Sequence, residues 1–178
     1  MQWLNEPTEW SDDGERITVS VPGETDAWRH TKHDFVQDDA PCYYREVGGD
    51  FTATVRFTGD YGTLYDQAGL VVRADTETWC KCGVELLDGQ QHASAVVTRE
   101  VSDWSVVPLE EPPEWLWIRV ERSGSTVEVS YSRDGDDWTM FRQATLTDAD
   151  PLQVGVLGAA PQGEGFEARF ESFSVAAP

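Results

Sequence analysis

Apolar and polar residues alternate with period two along this chain, and this alternation limits the fold more than any other feature of the sequence. In FTATVRF, Phe51, Ala53, Val55 and Phe57 share one parity, and threonines and Arg56 occupy the other. Successive side chains of a β-strand point to opposite faces, so the run predicts a half-buried strand. Similar runs are RITVSV, AGLVVRA, WCKCGVEL, SAVVTRE, WLWIRVER, TVEVSYS, LQVGVLGA and FEARFESFSV.

Turn signals separate these runs, and no window has a convincing helical repeat. VGGD, LDGQ, RSGS and RDGDD are rich in the Gly and Asp that tight turns require, and YSRDGDDW reads as a hairpin. In FEARFESFSV the apolar parity changes, which predicts a bulge near Glu171. We therefore expect about ten short strands in an antiparallel β-sandwich, forming a single domain over residues 1–178.

The charge of the chain excludes some partners. The sequence has 33 Asp and Glu against 13 Lys and Arg, a formal net charge of -20. Such a field repels the phosphates of nucleic acids and anionic membrane surfaces, so we expect neither as a partner. The acidic residues are spread through the strand-rich sequence, which indicates a folded domain with an acidic surface.

The basic residues are almost all arginine. Only Lys32 and Lys81 are lysines. Acid-rich, lysine-poor surfaces are typical of proteins from cells that accumulate molar salt, where the Debye length falls to about 3 Å and self-repulsion is screened. This composition predicts a halophilic protein; ordinary solubility is the other reading of the acidic surface.

The cysteines and the N-terminus bear on location. Three cysteines, without a disulfide pattern, fit a reducing compartment. The first residues, MQWLNEPTEW, have no basic region followed by an apolar run, and no stretch approaches the roughly 20 apolar residues that cross a bilayer. We expect a cytoplasmic protein.

The stretch TWCKCGVE combines two cysteines with one of the two lysines. On a strand, Cys80 and Cys82 point to the apolar side, where free cysteine is a small core residue. The opposite face carries Trp79, Lys81, Gly83 and Glu85. This second face is either one wall of a ligand groove or an exposed ion pair of little energetic value.

Two further motifs supply polar groups. In LYDQAGLVVR, Asp66 and Gln67 precede an apolar strand, where they either satisfy a turn or line the mouth of a groove. In SAVVTREVSDWS, Thr98 and Asp103 accompany Trp104. An indole flanked by hydroxyls and a carboxylate is suited to a sugar ring, although such a tryptophan can also cover a sheet edge.

Metal and catalytic signatures are weak. Cys42, Cys80, Cys82 and the histidines lack the paired spacing of a zinc site, and RDGDD lacks the full calcium-loop spacing, so we predict no metal and no cofactor. Glycoside hydrolysis would need two carboxyl groups on either side of a cleft, for which Glu85 with Asp66 or Asp103 is the available pair.

Ordered motifs in the sequence resemble a known family. DAWRHTKHDF, Tyr-Asp-Gln-Ala-Gly, Trp-x-Lys-x-Gly-x-Glu, SDWS and YSRDGDDW are similar to the domain of unknown function shared with the fungal regulation-of-enolase protein, over about Trp3 to Val175. The resemblance implies a concanavalin A-like jelly roll. That family usually has an aliphatic residue and an alanine in place of Cys80 and Cys82, which favours their reading as core residues.

The fold class is shared with lectins, carbohydrate-binding domains and endoglucanases, but the Glu-x-Asp-x-x-Glu strand of the endoglucanases does not occur here. Our leading hypothesis is a non-catalytic domain that binds a saccharide or another small polar metabolite in a concave-sheet groove. A carbohydrate-active enzyme and a regulatory module that binds a metabolic enzyme are the alternatives. The predicted ligand-binding residues are Asp66, Gln67, Trp79, Lys81, Glu85, Thr98, Asp103 and Trp104.

Overall fold

In a computed structural model that describes residues 1–177, the chain forms sixteen β-strands and no helix. The strands are β1 (Gln2–Leu4), β2 (Trp10–Asp12), β3 (Arg16–Pro22), β4 (Ala27–Arg29), β5 (Val36–Asp38), β6 (Cys42–Val47), β7 (Phe51–Gly59), β8 (Gln67–Arg73), β9 (Thr78–Leu87), β10 (Gln90–Arg99), β11 (Val101–Pro108), β12 (Leu116–Ser123), β13 (Thr126–Ser132), β14 (Thr139–Thr145), β15 (Leu152–Ala159) and β16 (Gly165–Ala176). Within this described part, no helix is long and apolar enough to cross a bilayer.

The strands form two seven-stranded sheets and one separate hairpin. Sheet A has the order β1-β6-β15-β8-β9-β10-β11, and sheet B has the order β14-β13-β12-β7-β16-β3-β2. The separate hairpin pairs β4 with β5. All strand pairs are antiparallel. The predicted antiparallel sandwich is thus confirmed.

The main core lies between the sheets and follows the alternation in the sequence. Phe51, Ala53, Val55 and Phe57 of β7 are all buried in it. Cys80 and Cys82 enter the same core from β9, at 0% and 5% exposure. Their predicted role as core residues is confirmed, and burial raises the pKa of the Cys82 thiol well above its ordinary value.

Two local predictions about irregular backbone are also confirmed. The register of β16 against β7 shifts between Glu171 and Ser174, and Ser172 takes a φ of 54°. This bulge moves Phe173 and Val175 to the parity that packs against the core. The turn after β13 is closed by Asp134, whose carboxylate accepts two backbone N–H groups, and by Gly135 with a φ of 88°.

The β4–β5 hairpin covers part of the outer face of sheet A. There Val71, Trp79, Val96 and Leu157 form a second hydrophobic cluster with Ala27 of β4. Sheet A is therefore buried on both faces along its middle strands, and β8 and β9 are buried along nearly their whole length. The polar residues that share this outer face are enclosed as a consequence.

Candidate functional site

Sheet register places two charged residues on either side of a glycine on the outer face of β9. Gly83 of β9 pairs with Gly69 of β8 and with Ser94 of β10. On the same face, Lys81 lies two residues before Gly83 and Glu85 lies two residues after it. Four residues along a strand separate two Cα atoms by about 13 Å. A gap without side chains therefore lies between the ammonium and carboxylate residues.

The paired glycines form the floor of this gap. A Cβ on Gly69 would lie 2.0 Å from the carbonyl oxygen of Cys82, and one on Gly83 would lie 2.0 Å from that of Ala68. Both positions therefore require glycine. The resulting depression, here called the glycine slot, is shallow and open to solvent, with about 10 Å³ for the centres of water-sized molecules. Its lining includes Gln67, Gly69, Lys81, Gly83, Ser94 and Leu157.

Lys81 is a buried cation with one ionic partner. Its Nζ lies 2.8 Å from Oδ1 of Asp26, and the two residues are 4% and 7% exposed. The same Nζ lies 5.9 Å from the centre of the Trp79 ring. An ammonium has three N–H donors, and Asp26 is its one hydrogen-bonded acceptor among residues 1–177. Lys81 can therefore donate further hydrogen bonds into the slot.

Glu85 occupies the other end of the slot and is 5% exposed. Its Oε2 accepts a hydrogen bond from Oγ of Ser94 at 2.6 Å and another from Nε1 of Trp104 at 2.9 Å. Burial raises the pKa of this carboxyl above its ordinary value, although Lys81 and the two hydrogen bonds oppose the shift. Asp26 adds to the rise in pKa. Glu85 is thus a carboxylate in a poorly solvated position.

Trp104 lies at the open edge of the slot. It belongs to β11, the last strand of sheet A, and is 38% exposed. Its ring centre lies 6.4 Å from that of Trp28 and 6.3 Å from that of Tyr65. Of the predicted ligand-binding residues, Gln67, Lys81, Glu85 and Trp104 are brought together here. Their binding of a ligand stays a prediction.

Two other predicted residues lie on the same face but are covered. Trp79 is 1% exposed and packs in the second hydrophobic cluster, so its ring has no free surface for stacking. Thr98 is fully buried, and its Oγ1 shares a hydrogen bond of 2.8 Å with Oγ of Ser102. Ser102 in turn accepts the N–H of Arg29. Thr98 therefore helps to attach the β4–β5 hairpin to sheet A.

The structure does not bring Asp66 and Asp103 to the slot. Asp66 uses Oδ2 to accept the N–H groups of Gly62 and Thr63, the turn-forming role that was one reading of the sequence. Asp103 has the opposite parity to Trp104 on β11, and its carboxylate lies 2.9 Å from Arg142 of sheet B. Neither carboxyl group is available to act with Glu85 across the slot in this arrangement.

Sequence reasoning did not assign Asp26, Trp28, Tyr65 or Ser94 to the site. Asp26 lies 55 residues before Lys81, on the segment that folds over the sheet. No periodicity indicates which strand a covering hairpin will contact. The sequence could have indicated Ser94 as a site residue, because its parity on SAVVTRE matches that of Thr98.

The described residues contain no group of three or more His, Cys, Asp or Glu that could hold a metal ion. Cys42, Cys80 and Cys82 are free and buried. Burial raises the pKa of the Cys42 thiol to about 12, so this group is a poor thiolate ligand at neutral pH.

Comparison with known proteins identifies the family. Residues 3–178 match the family described as "Protein of unknown function (DUF1349)". The chain belongs to this family. It is 34% identical to "Regulation of enolase protein 1" of Saccharomyces cerevisiae, over 99% of this chain and 89% of the yeast protein. A crystal structure of a functionally unknown protein from Saccharomyces cerevisiae matches with a TM-score of 0.96 and 34% identity, covering 99% of this chain and 96% of that one.

More distant structures share the fold alone. The GH43 protein BlXynB (mutant K247S) of Bacillus licheniformis has a TM-score of 0.73 at 18% identity, and the match covers 97% of this chain but 36% of that chain. The alginate lyase of Klebsiella pneumoniae has a TM-score of 0.61 at 12% identity, covering 95% and 84% of the two chains. These likenesses agree with the predicted jelly-roll sandwich.

Proposed function

We propose that the protein binds one small polar ligand in the glycine slot and does not transform it. The observation that carries this proposal is the pair of charged groups, Lys81 and Glu85, buried at either end of a floor that only glycine can form. Natural chains seldom bury charges unless they are paired or functional. A ligand with two polar groups can accept a hydrogen bond from Lys81 with one and donate to Glu85 with the other.

The size of the slot limits the ligand. The volume open to the centres of water-sized molecules is about 10 Å³, which is room for about one water molecule and far less than the roughly 300–1,000 Å³ of pockets that hold drug-sized molecules. The slot can therefore receive one polar group of a ligand, such as a hydroxyl, while the rest of the ligand lies above it beside Trp104; a monosaccharide unit is the leading candidate. Several members of the wider fold act on polysaccharides, as the names of the GH43 proteins and the alginate lyase say, but that likeness concerns the fold.

The test is a binding measurement on a matched pair of variants. Glu85→Gln keeps the shape of the slot and removes its negative charge, whereas Glu171→Gln removes a half-buried carboxylate of the other sheet. Binding of methyl glycosides and small polar metabolites would be measured by calorimetry. We expect Glu85→Gln to weaken binding at least tenfold, since hydrogen bonds to charged groups contribute about 1.5–3 kcal/mol. Equal affinity of the two variants would show that the ligand does not bind at Glu85.

Catalysis by paired carboxylates is the first alternative. It has less support, because Asp66 and Asp103 are both engaged away from Glu85. Asp26 is the carboxylate that remains beside Lys81, and it already forms an ion pair. Turnover of aryl glycosides that disappears in a folded Glu85→Gln variant would replace the binding proposal with an enzymatic one.

A protein-interaction role is the second alternative, favoured by the yeast relative named as a regulator of enolase. The β11 edge exposes Val101 and Val106, at 54% and 38%. An apolar sheet edge is a common surface for strand addition. A pull-down of enolase from the same source, lost when both valines are replaced by lysine, would support this role. If the wild-type protein and the double lysine variant retain purified enolase equally, the β11 edge is excluded as the binding surface.

A cytoplasmic location and adaptation to high salt are also proposals. The support for the first is that Cys42, Cys80 and Cys82 are free and buried. The support for the second is the net charge of -20 together with the near replacement of lysine by arginine. Cell fractionation tests the location, and the salt dependence of unfolding tests the adaptation.

A further inference from the structure

The two sides of the sandwich where the sheets end differ in the length of their edge strands. On one side the edge strands are β1 and β2, which have three residues each and meet through the rings of Trp3 and Trp10. On the other side they are β11 and β14, with eight and seven residues. Arg142 of β14 contacts both Asp103 and Ser105 of β11, so the two long edges lie next to each other. Natural proteins usually keep edge strands short or charged, because an unpaired edge can add another strand.

The side formed by β11 and β14, here called the long-edge side, carries no net charge on its strands. Residues 6–15, beside β1 and β2, contain five acidic side chains and no basic one. In contrast, β11 and β14 together contain one acidic and one basic residue, Asp103 and Arg142, which form an ion pair at 2.9 Å. Because each copy of this protein has a net charge of -20, a second copy is repelled least at such a neutral surface.

Large apolar side chains are exposed together along the long-edge side. They are Val101, Trp104, Val106 and Met140, at 54%, 38%, 38% and 53% exposure. Val101, Trp104 and Val106 belong to β11, and Met140 belongs to β14. Apolar side chains that are exposed as a group mark a surface for protein association.

The register of β11 shows which of its backbone groups point away from the sheet. The N–H of Leu109 donates to the carbonyl oxygen of Gln91, in register with the β10–β11 pairing. Hydrogen-bonded pairs alternate along an antiparallel ladder, so the odd-numbered residues of β11 bond to β10 and the even-numbered residues direct their backbone groups outward. Pro108, which has no N–H to donate, agrees with this assignment because it is even-numbered.

Two residues in the middle of this edge keep free backbone groups. Ser102 has the outward parity, but its carbonyl oxygen accepts a hydrogen bond from Oγ1 of Thr31. The next outward residues are Trp104 and Val106, whose outward N–H and C=O groups bond to no other residue among 1–177. The edge is therefore open over Trp104 and Val106 and covered at Ser102.

We propose that two copies of this chain form a dimer through the long-edge side, with the two β11 strands antiparallel about a two-fold axis at Ser105. In this register Trp104 of each copy pairs with Val106 of the other, and their free N–H and C=O groups bond to each other. The axis is perpendicular to sheet A, so the two A sheets become continuous and the two β14 edges face each other. This inference does not depend on the proposed ligand.

The composition of the edge favours a second copy over an unrelated strand. A two-fold interface must be complementary to itself, and one register about Ser105 uses all the free backbone groups of Trp104 and Val106. It also places an aromatic residue opposite a β-branched one twice, a cross-strand pairing that stabilises sheets. The charges of Asp103 and Arg142 are already paired within each copy, so covering them leaves no charge without a partner.

The test measures the mass of the full chain by sedimentation equilibrium at one high concentration of potassium chloride, over about a hundredfold range of protein concentration. We expect the mass to rise from 19.9 kDa toward twice that value. Val106→Lys should weaken dimerisation at least tenfold, because the symmetry places two new like charges in one interface. Val36→Lys adds the same charge at 48% exposure on the β4–β5 hairpin and should leave the dimer unchanged.

A backbone variant tests the strand pairing itself. Val106→Pro removes an outward N–H that β10 does not use, and proline is tolerated on edge strands, so the variant should fold, as circular dichroism would check. We expect it also to weaken dimerisation at least tenfold. Dimerisation of either Val106 variant as strong as that of wild type, or equal weakening by Val36→Lys, would exclude pairing through β11. A wild-type mass of 19.9 kDa at every concentration would overturn the dimer and leave this edge to a different protein partner.

Discussion

Trp10 and Trp104 lie at opposite edges of the sandwich, on β2 and β11, and they are alike in two respects. Each is 38% exposed, and each donates its indole N–H to a glutamate at 2.9 Å, Trp10 to Glu6 and Trp104 to Glu85. They differ in the acceptor, because Glu6 is exposed and Glu85 is 5% exposed. Exposure of the tryptophan alone therefore does not distinguish the candidate site; the burial of its carboxylate partner does.

The two regions also differ in what lies beneath the rings. Trp10 packs on Trp3 and Tyr43 near the main core, where the rings close the edge of the sandwich. Trp104 stands beside a gap whose ends are charged. The first arrangement stabilises an edge, whereas the second preserves an opening at the cost of burying Lys81 and Glu85.

The largest effect we expect is on removal of salt, and it should affect the Trp10 region first. Residues 6–15 contain Glu6, Glu9, Asp12, Asp13 and Glu15 and no basic residue. The Debye length grows from about 3 Å in 1 M salt to about 30 Å at 0.01 M, so repulsion among these groups strengthens on dilution. We expect the Trp10 indole signal to lose its native position before that of Trp104, and then the whole protein to unfold.

This salt effect would be followed by NMR and by thermal melting in potassium chloride from 3 M downwards. Potassium chloride would be replaced by an equal concentration of sucrose in a control series, because sucrose also favours compact states but does not screen charge. A melting temperature that is the same in molar and in low salt would remove the halophilic interpretation. Simultaneous loss of both indole signals would remove the difference between the two regions.

The next effect concerns the buried ion pair of Lys81 and Asp26 in the Trp104 region. Lys81→Met leaves Asp26 buried without its cation, and breaking such a pair typically costs about 3–5 kcal/mol. Glu6→Gln, its counterpart in the Trp10 region, changes an exposed group and should cost less than about 1 kcal/mol. The free energies of unfolding would be measured by urea titration at one high salt concentration.

A double variant identifies the cause of that loss. Lys81→Met with Asp26→Asn removes both charges, and we expect it to recover most of the stability, since the penalty comes from the unpaired carboxylate and not from lost attraction. If the double variant is no more stable than Lys81→Met, the loss comes from the missing attraction and packing of Lys81 and not from the unpaired carboxylate of Asp26.

A smaller effect should distinguish the two indole hydrogen bonds directly. Trp104→Phe and Trp10→Phe each remove one N–H donor and a similar ring area. The first leaves Glu85 with Ser94 as its remaining donor and should cost about 1.5–3 kcal/mol, the usual range for bonds to charged groups. The second leaves Glu6, which is already exposed, to bond with water and should cost less than about 1 kcal/mol in excess of the lost ring packing. Equal losses would mean that burial of the acceptor does not matter here.

The fold was largely predictable from the sequence, because one physical signal repeats along the chain. Alternation in FTATVRF, the parity change near Glu171 and the Asp-Gly turn after β13 each gave the observed backbone. The same parity placed Cys80 in the core and Lys81 on the other face. These features depend on neighbours in sequence, and local patterns report them well.

The site was predictable only where it lies on paired strands. Lys81 and Glu85 share a face of β9, which parity reveals. Asp26 and Trp28 reach the site on a hairpin that folds over sheet A, and their position depends on long-range contacts such as the bond between Arg29 and Ser102. Trp79 was predicted as a stacking surface, but the same hairpin buries it.

The last expected difference is the pH dependence that the raised pKa of Glu85 produces. The unfolded carboxyl titrates near 4.5, and burial raises the pKa in the folded protein above that value. Between these two pKa values the folded protein binds more protons than the unfolded chain, so the contribution of Glu85 to stability falls as the pH rises. Glu85→Gln removes this contribution. The stability of the variant relative to wild type should therefore increase with pH from about 4.5 until folded Glu85 is ionised.

Glu171→Gln is the matched control, because its carboxyl has the opposite shift. A hydrogen bond from Arg16 lowers the pKa of folded Glu171 below 4.5, with a further contribution from Arg56. Its stabilising contribution is complete above pH 4.5 and disappears as the pH falls through the folded pKa, so this variant should lose stability relative to wild type as the pH rises. Urea titrations at fixed high salt would measure both slopes, above pH 4.5 for Glu85→Gln and below pH 4.5 for Glu171→Gln. Slopes of the same sign would mean that burial of Glu85 does not govern its ionisation, and the distinction between the Trp104 and Trp10 regions would lose its electrostatic basis.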